Sequence, residues 1–332
     1  MKALPKKKRG YIMSKVYLSA ELPALATKTL IDHGFDVSIY DGEGLVSHET
    51  LLESVRDIDF LITPLSTKVD REIIDAAPKL KLIANFGAGF NNIDTAYAKE
   101  KGIPVTNTPA VSTNAVAEVT IGLMLALSHR IVEGNYKMHR DGFLGWAPLF
   151  FLGHEIAGKT LGIVGLGDIG SDVARKANAL GMHVQYYKRT PLSDPEERSM
   201  KVTYRPFDEL IATSDFISIN APQTDENYHQ FNEAAFKAMK STANIINVGR
   251  GPIIDEAALL KALKEGEIAG AALDVYEREP EVDDGFKILQ NVILTPHVGN
   301  ATVEARDAMA KIVAENVVLV DNGQSAKFIV NH

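Results

Sequence analysis

The chain is 332 residues long, 45% hydrophobic and 23% charged, with a formal net charge of -8 and no cysteine. That length suits two domains, and the acidic balance without a basic stripe excludes nucleic acid as an expected partner. The missing cysteines exclude a disulfide framework and a thiolate metal site, and they fit a reducing, cytoplasmic setting.

Residues 1–13 carry Lys2, Lys6, Lys7, Lys8 and Arg9. No apolar core follows those charges, so the stretch reads as a flexible arm or a non-native start rather than a signal peptide, with Met13 as the expected start. From Lys15 onward, β-branched runs at 16–19, 37–40, 60–63, 80–85 and 104–106 alternate with amphipathic stretches. Such alternation predicts βαβ units and a parallel sheet. A helix over 113–131 is apolar almost all round, so it is expected to be buried at a domain or subunit contact, which makes a homodimer the expected assembly. The longest candidate for a membrane span, 115–127, is interrupted by Glu118, Thr120 and Gly122, and no membrane partner is expected.

Residues 153–160, GHEIAGKT, match the phosphate-loop pattern of nucleoside triphosphatases letter for letter. That loop needs a helix directly after its Lys-Thr. Here strand and turn residues follow, so the match is set aside. They form the most informative stretch of the chain: a strand over 160–164, then Gly165-x-Gly167-x-x-Gly170 opening a helix that stops at Gly181. Ile169, Val173, Ala177 and Leu180 mark the apolar face of that helix. Gly165 suits the tight turn, Gly167 the approach of a pyrophosphate, and Gly170 the packing of helix on strand. The helix N-terminus, at Asp168 and Ile169, offers N–H groups to phosphates.

Further strands are expected at 183–187, 216–219, 244–248, 271–275 and 292–294, which with the first makes six, as in a doubly wound nucleotide-binding domain. The last helix, about 301–322, is expected to return to the first domain and to stop at Gly323. The expected fold is therefore α/β, with two doubly wound parallel-sheet domains and a cleft between them. One is a flavodoxin-like substrate domain (14–112 and 298–332), the other a Rossmann cofactor domain (113–297).

An NAD site places an acid about twenty residues after the glycines. Here Lys188-Arg189-Thr190 follow the second strand, with no acid. Two cations at that place suit the 2′-phosphate of NADP; read as solvated surface charges, they leave NAD open. Three other stretches end strands at the edge where such sheets bind ligands: NVGRG (247–251), LDVYEREP (273–280) and LTPHVG (294–299). Each taken alone also fits a plain loop.

Together with NFGAGFNNID (85–94) and the glycine fingerprint, these motifs stand in the order seen in the D-isomer-specific 2-hydroxyacid dehydrogenase family, which the chain resembles over residues 15–331. GWAPLFFLG (145–153) and the closing Ile329-Val330-Asn331 resemble its glyoxylate and hydroxypyruvate reductase branch. The resemblance implies that Arg250 grips the substrate carboxylate and carbonyl, a bidentate task suited to its planar fork. It makes His297 the proton donor, with Glu279 orienting it and, as an anion, favouring its protonated form. Backbone N–H groups of Ala88 and Gly89 would bind the carboxylate, and Leu65 and Trp146 would border the substrate. Two other readings of Trp146 stand beside that one: a residue of the partner subunit's cleft, and core packing, since a lone tryptophan usually buries area.

For the cofactor, the resemblance implies contacts from Gly165, Gly167, Asp168, Ile169, Lys188, Arg189, Thr190, Val248, His297 and Gly299. It adds Asp274 at the nicotinamide carboxamide, Asn220 and Pro222 flanking the adenosine, and Thr224 nearby. Lys188 departs from the family's common aspartate, and Gly249 stands where alanine is common.

The expected function is reduction of glyoxylate or hydroxypyruvate to the D-2-hydroxy acid by NADPH or NADH. Two alternatives stand beside it: a dehydrogenase of bulkier branched or aromatic 2-oxo acids, and a nucleotide-sensing binding protein like the corepressors of this fold. His154-Glu155 lacks a second histidine four residues on, so no metal is expected, and the remaining histidines read as surface residues.

Overall fold

The computed structural model describes residues 13–332. The arm expected at the N-terminus lies, Met13 aside, outside the described residues. The chain forms two compact units, one up to Val111 and resumed at Thr302–His332, the other Ser112–Ala301.

In the first unit, β1 (Lys15–Leu18), β2 (Asp36–Ile39), β3 (Phe60–Pro64), β4 (Leu82–Phe86) and β5 (Val105–Thr106) form a parallel sheet in the order β2-β1-β3-β4-β5. Successive side chains point to opposite faces. Leu18, Phe60, Ile62 and Leu82 therefore join one core with Leu30, Met309 and Val313, while Tyr17, Leu61 and Ile83 join another with Leu51 and Ile73. Burial on both faces explains why these strands read as continuous apolar runs. The last helix, Val303–Asp321, packs on the helix Ala24–Asp32 and on β4. Its N-terminus is capped by Thr302, whose hydroxyl accepts from the Ala305 N–H at 3.2 Å.

In the second unit, β6 (Thr160–Val164), β7 (His183–Tyr187), β8 (Val202–Tyr204), β9 (Phe216–Ile219), β10 (Asn244–Asn247), β11 (Gly270–Leu273) and β12 (Val292–Leu294) are ordered β12-β11-β10-β9-β6-β7-β8, again all parallel. The chain builds outward from β6 in both directions. The crevice beyond the carboxyl ends of β6 and β9 is thus the topological switch point, where open sheets of this kind bind ligands.

Three expectations change here. The sheet has seven strands rather than six, because Val202–Tyr204 adds an edge strand beside β7. The long apolar helix ends at Ser128, where Arg130 takes a left-handed φ of 56°, and a separate helix follows at Ile131–Arg140. The buried side chains of Thr113–Ser128, including Ala117, Ile121 and Met124, pack against the helix Asp168–Ala179 and the sheet of the same unit. Leu180 lies just past the end of Asp168–Ala179 and is 40% exposed, whereas Val173, Ala174 and Ala177 form that helix's buried face. Among the described residues no single helix is long and apolar enough to cross a membrane.

Candidate active site

The glycine turn after β6 shows a separate constraint at each glycine. Gly165 has a φ of 97°, and its N–H donates to the Tyr187 carbonyl at 2.9 Å, tying the turn to the end of β7. A Cβ on Gly165 would stand 2.6 Å from the Ala221 nitrogen, and one on Gly170 would stand 2.2 Å from the Gly165 carbonyl oxygen. Only a bare backbone fits at either place. At Gly167, by contrast, a Cβ would meet no protein atom within 4 Å. Gly167 precedes Asp168–Ala179, whose first turn has no side-chain cap. Uncapped N–H groups, including those of Asp168 and Ile169, beside open space at a helix N-terminus fit a pyrophosphate.

The rest of the same edge also fits a dinucleotide. Lys188 is half-exposed, and Arg189 and Thr190 are exposed, directly after β7. Among the described residues neither cation forms an ion pair. After β9, the Asn220 N–H donates to the Val164 carbonyl at 2.8 Å and its side-chain amide to Ser218 Oγ at 2.9 Å. Its Oδ1 is buried without a partner. A buried acceptor left open costs free energy unless something donates to it, and it points to a polar ligand at this turn. Pro222 accepts from Asn227 Nδ2 at 2.9 Å through its carbonyl, and Thr224 donates its hydroxyl to Glu226 at 3.2 Å, so both serve the short turn Asp225–Asn227. Val248 is nearly buried behind them.

Arg250 stands one turn past β10. Asn247 braces that turn: its Oδ1 accepts from the Gly249 N–H, and its Nδ2 donates to the Arg250 carbonyl, both at 3.0 Å. A Cβ on Gly251 would overlap the Tyr276 carbonyl carbon at 1.9 Å, so the turn lies directly on the backbone that follows β11. The Arg250 guanidinium donates to the Gly249 carbonyl at 2.7 Å and, among the described residues, has no carboxylate within ion-pair distance. Burial lowers its pKa, and the charge of Glu279 opposes that.

His297 and Glu279 form the second half of the site. His297 Nδ1 lies 2.8 Å from Glu279 Oε2, and the other carboxylate oxygen accepts from the Tyr276 N–H at 3.1 Å. Burial pushes the Glu279 carboxyl up, but the His297 hydrogen bond and charge, the Tyr276 N–H and Arg250 bring it below the ordinary glutamate value. With Nδ1 engaged, His297 Nε2 has no hydrogen-bond partner among the described residues.

His297 also has a left-handed φ of 52°, a conformation that costs a non-glycine residue about 1–3 kcal/mol. Asp274, only 1% exposed, holds it there. Its Oδ1 accepts from the Thr295 hydroxyl at 2.6 Å and the Val298 N–H at 2.8 Å, and its Oδ2 accepts from the Gly299 N–H at 2.8 Å. Hydrogen bonds to a charged group contribute about 1.5–3 kcal/mol each, enough to offset that strain. The position where the resemblance implies a nicotinamide contact is thus also the anchor of the histidine loop.

In the first unit, Ala88 and Gly89 follow β4. The carbonyls of Gly87, Ala88 and Gly89 all accept from the protein: from the Thr108 N–H at 3.0 Å, Asn107 Nδ2 at 2.7 Å and Asn85 Nδ2 at 2.6 Å respectively. The N–H groups of Ala88 and Gly89 make no hydrogen bond among the described residues. Leu65 packs on Gly87, where a Cβ would come within 2.7 Å of its Cγ. Trp146 is 82% exposed, so the core-packing reading fails for it.

One pair escaped the sequence reading, which put the other histidines on the surface. His229, with a φ of 50°, lies 3.1 Å from Glu277 through Nε2, and its N–H donates to the Pro252 carbonyl at 2.9 Å. It joins the loops after β9, β10 and β11. Its 48-residue separation from Glu277 leaves no local signal. A concavity of about 1240 Å³ lies at the opposite edge of this sheet, lined by Tyr136, Asp215, Asn244 and Gly270 among others, and contains none of these groups. Among the described residues no cluster of side chains suits a metal ion.

Comparison with known proteins gives the family and the fold. Residues 121–299 match the family model of the D-isomer specific 2-hydroxyacid dehydrogenase NAD binding domain. A protein of Staphylococcus aureus strain MRSA252, provisionally named a 2-hydroxyacid dehydrogenase, is 52% identical over 319 residues, covering 96% of this chain and all of that one. An NADPH-dependent glyoxylate/hydroxypyruvate reductase of Sinorhizobium meliloti, solved with NADP and malonate, superposes with a TM-score of 0.81 at 30% identity, covering 96% of this chain and 97% of that one. The D-lactate dehydrogenase of Escherichia coli gives 0.83 at 29% identity, covering 96% and 100%.

Proposed function

The chain belongs to the D-isomer specific 2-hydroxyacid dehydrogenase family, an NAD(P)-dependent oxidoreductase family, and on that premise we propose that it reduces glyoxylate or hydroxypyruvate to the D-2-hydroxy acid with NADPH. The observation that carries this reading is the unpaired Arg250 on the turn beside a histidine whose Nδ1 is held by Glu279 and whose Nε2 is free.

The reduced nicotinamide, when bound, supplies a hydride to C2 of the 2-oxo acid. Arg250 binds the carboxylate and the carbonyl oxygen and offsets the negative charge that grows on that oxygen. His297 gives its Nε2 proton to the same oxygen as general acid, which closes the balance: one hydride, one proton, one C–H and one O–H bond. Glu279 keeps the ring turned for that transfer. The free N–H groups of Ala88 and Gly89 suit a carboxylate.

Two observations support NADPH over NADH: Lys188-Arg189-Thr190, directly after β7, contains no acid, and Lys188 and Arg189 form no ion pair among the described residues. The test is the initial rate of cofactor oxidation with glyoxylate, NADPH against NADH at equal concentration. The expected result is turnover favouring NADPH. Turnover with NADH alone would return Lys188 and Arg189 to the role of surface charges. No turnover with either would shift the reading to bulkier 2-oxo acids or to a nucleotide-sensing protein.

The proposal includes a homodimer. The helix Ile131–Arg140 has no buried residue, and Tyr136, Phe143, Leu144, Trp146 and Leu149 are all more than half exposed. Large apolar side chains left exposed along one segment suit an interaction face, and a two-fold pair is the commonest way to cover one. Sedimentation velocity at micromolar concentration is expected to give twice the 36.2 kDa chain mass; a species of single-chain mass would contradict it.

A further inference from the structure

We propose that Tyr186 and Glu197 govern cofactor choice as positioning residues, holding the loop after β7 in the form that presents Lys188 and Arg189 to the NADP 2′-phosphate. This rests on the NADPH reading above.

Tyr186 is the penultimate residue of β7 and is 0% exposed. Its phenol donates to Glu197 Oε1 at 2.8 Å and accepts from the Leu192 N–H at 2.8 Å. The same Glu197 oxygen accepts from the Tyr204 N–H at 3.1 Å. One buried hydroxyl thus joins the end of β7, the far end of the loop, the helix Asp194–Met200 and β8. Burial, reinforced by the Glu197 charge and opposed by the Leu192 N–H, pushes this phenol up to about 12, so it remains a neutral donor throughout the working pH range.

The loop itself is short. Tyr187 is fixed through its carbonyl by the Gly165 N–H, and Leu192 by the phenol. Residues 188–191 between them make no hydrogen bond of their own among the described residues. Their conformation therefore depends on the two fixed ends. Lys188 also has an alternative partner: its charge already acts on Glu196, whose carboxylate closes the capping box with Ser193. A loosened loop would let Lys188 move to that carboxylate.

The consequence is selective. A 2′-phosphate carries close to two negative charges and needs both cations in place. The 2′-hydroxyl of NADH carries none and loses little when the loop relaxes. Replacing tyrosine with phenylalanine keeps the buried ring and removes only the hydroxyl. A general structural role for Tyr186 would weaken both cofactors alike; a positioning role weakens one.

The experiment is steady-state kinetics of the whole enzyme with each cofactor, for wild type, Tyr186→Phe, Glu197→Gln and Lys188→Ala. Tyr186→Phe is expected to raise KM for NADPH about tenfold, as losing a hydrogen bond to a charged partner does, with kcat and both NADH constants unchanged. Glu197→Gln keeps an acceptor oxygen and is expected to shift KM for NADPH less. An unchanged NADPH/NADH ratio in Tyr186→Phe, or an equal loss for both cofactors, overturns the inference. If Tyr186→Phe does not fold, Glu197→Gln decides by the same ratio, and no shift in it counts against the inference. Failure of the underlying reading looks different: wild type would show no preference for NADPH, or Lys188→Ala would leave the preference intact.

Discussion

In His297→Asn, turnover of glyoxylate falls by about 10²–10⁴-fold, the usual contribution of a positioned general acid, while the dissociation constant for NADPH stays within about twofold. Asparagine is chosen on structural grounds. Position 297 has a φ of 52°, and asparagine tolerates the left-handed region better than most residues. The hydrogen bonds from Thr295, Val298 and Gly299 to Asp274 do not involve the imidazole, so the loop keeps its anchor. The asparagine amide can still donate toward Glu279 but has no proton to release. The variant thus separates the chemistry of the ring from the conformation of the loop. Cofactor titration by fluorescence reports binding, and stopped-flow absorbance reports turnover. A kcat within threefold of wild type would remove His297 from the reaction.

Arg250→Lys should be nearly as damaging, with kcat/KM lower by about 10²–10³-fold, the range found when a donor to a developing oxyanion is lost. Charge is conserved in this variant, so the loss measures geometry. Lysine offers a single ammonium where the guanidinium offers a planar fork that can reach carboxylate and carbonyl together. The turn that carries residue 250 is held by Asn247 and by the contact of Gly251 with Tyr276, neither of which needs the arginine side chain. Both kcat and KM should worsen, because the grip on the carboxylate acts already in the ground state while the contact to the developing oxyanion acts only in the transition state. A loss below fivefold would mean that a plain positive charge suffices.

The parts of the fold legible in the sequence are those set by local rules. Strands buried on both faces appear as β-branched runs, and part of the turn after β6 is forced by contacts within a few residues. Gly170, for example, is required by the carbonyl of Gly165 five positions earlier. The pairing of His297 with Glu279 was implied by the family resemblance, and the structure places the two 2.8 Å apart. What stayed hidden depends on distant partners. Val202–Tyr204 is three residues long, too short for a periodic signal, and is a strand only because β7 lies beside it. The helix break at Arg130 follows no proline or glycine; there the arginine pairs with Glu133 and lies 4.1 Å over the Phe151 ring. Trp146 is 82% exposed, its segment left uncovered by the described residues, which composition alone does not reveal. The anchoring of the histidine loop by Asp274 spans more than twenty residues, and so did not register as a spacing.

The proposed function stands on passage of hydride to C2 of a 2-oxo acid in this site. It is tested most directly by supplying NADPH deuterated at both C4 positions with unlabelled glyoxylate and analysing the product by mass spectrometry. The expected product is glycolate carrying one deuterium at C2, formed in step with loss of reduced cofactor. Glycolate without the label, or glyoxylate left untouched while the cofactor is bound, would contradict it.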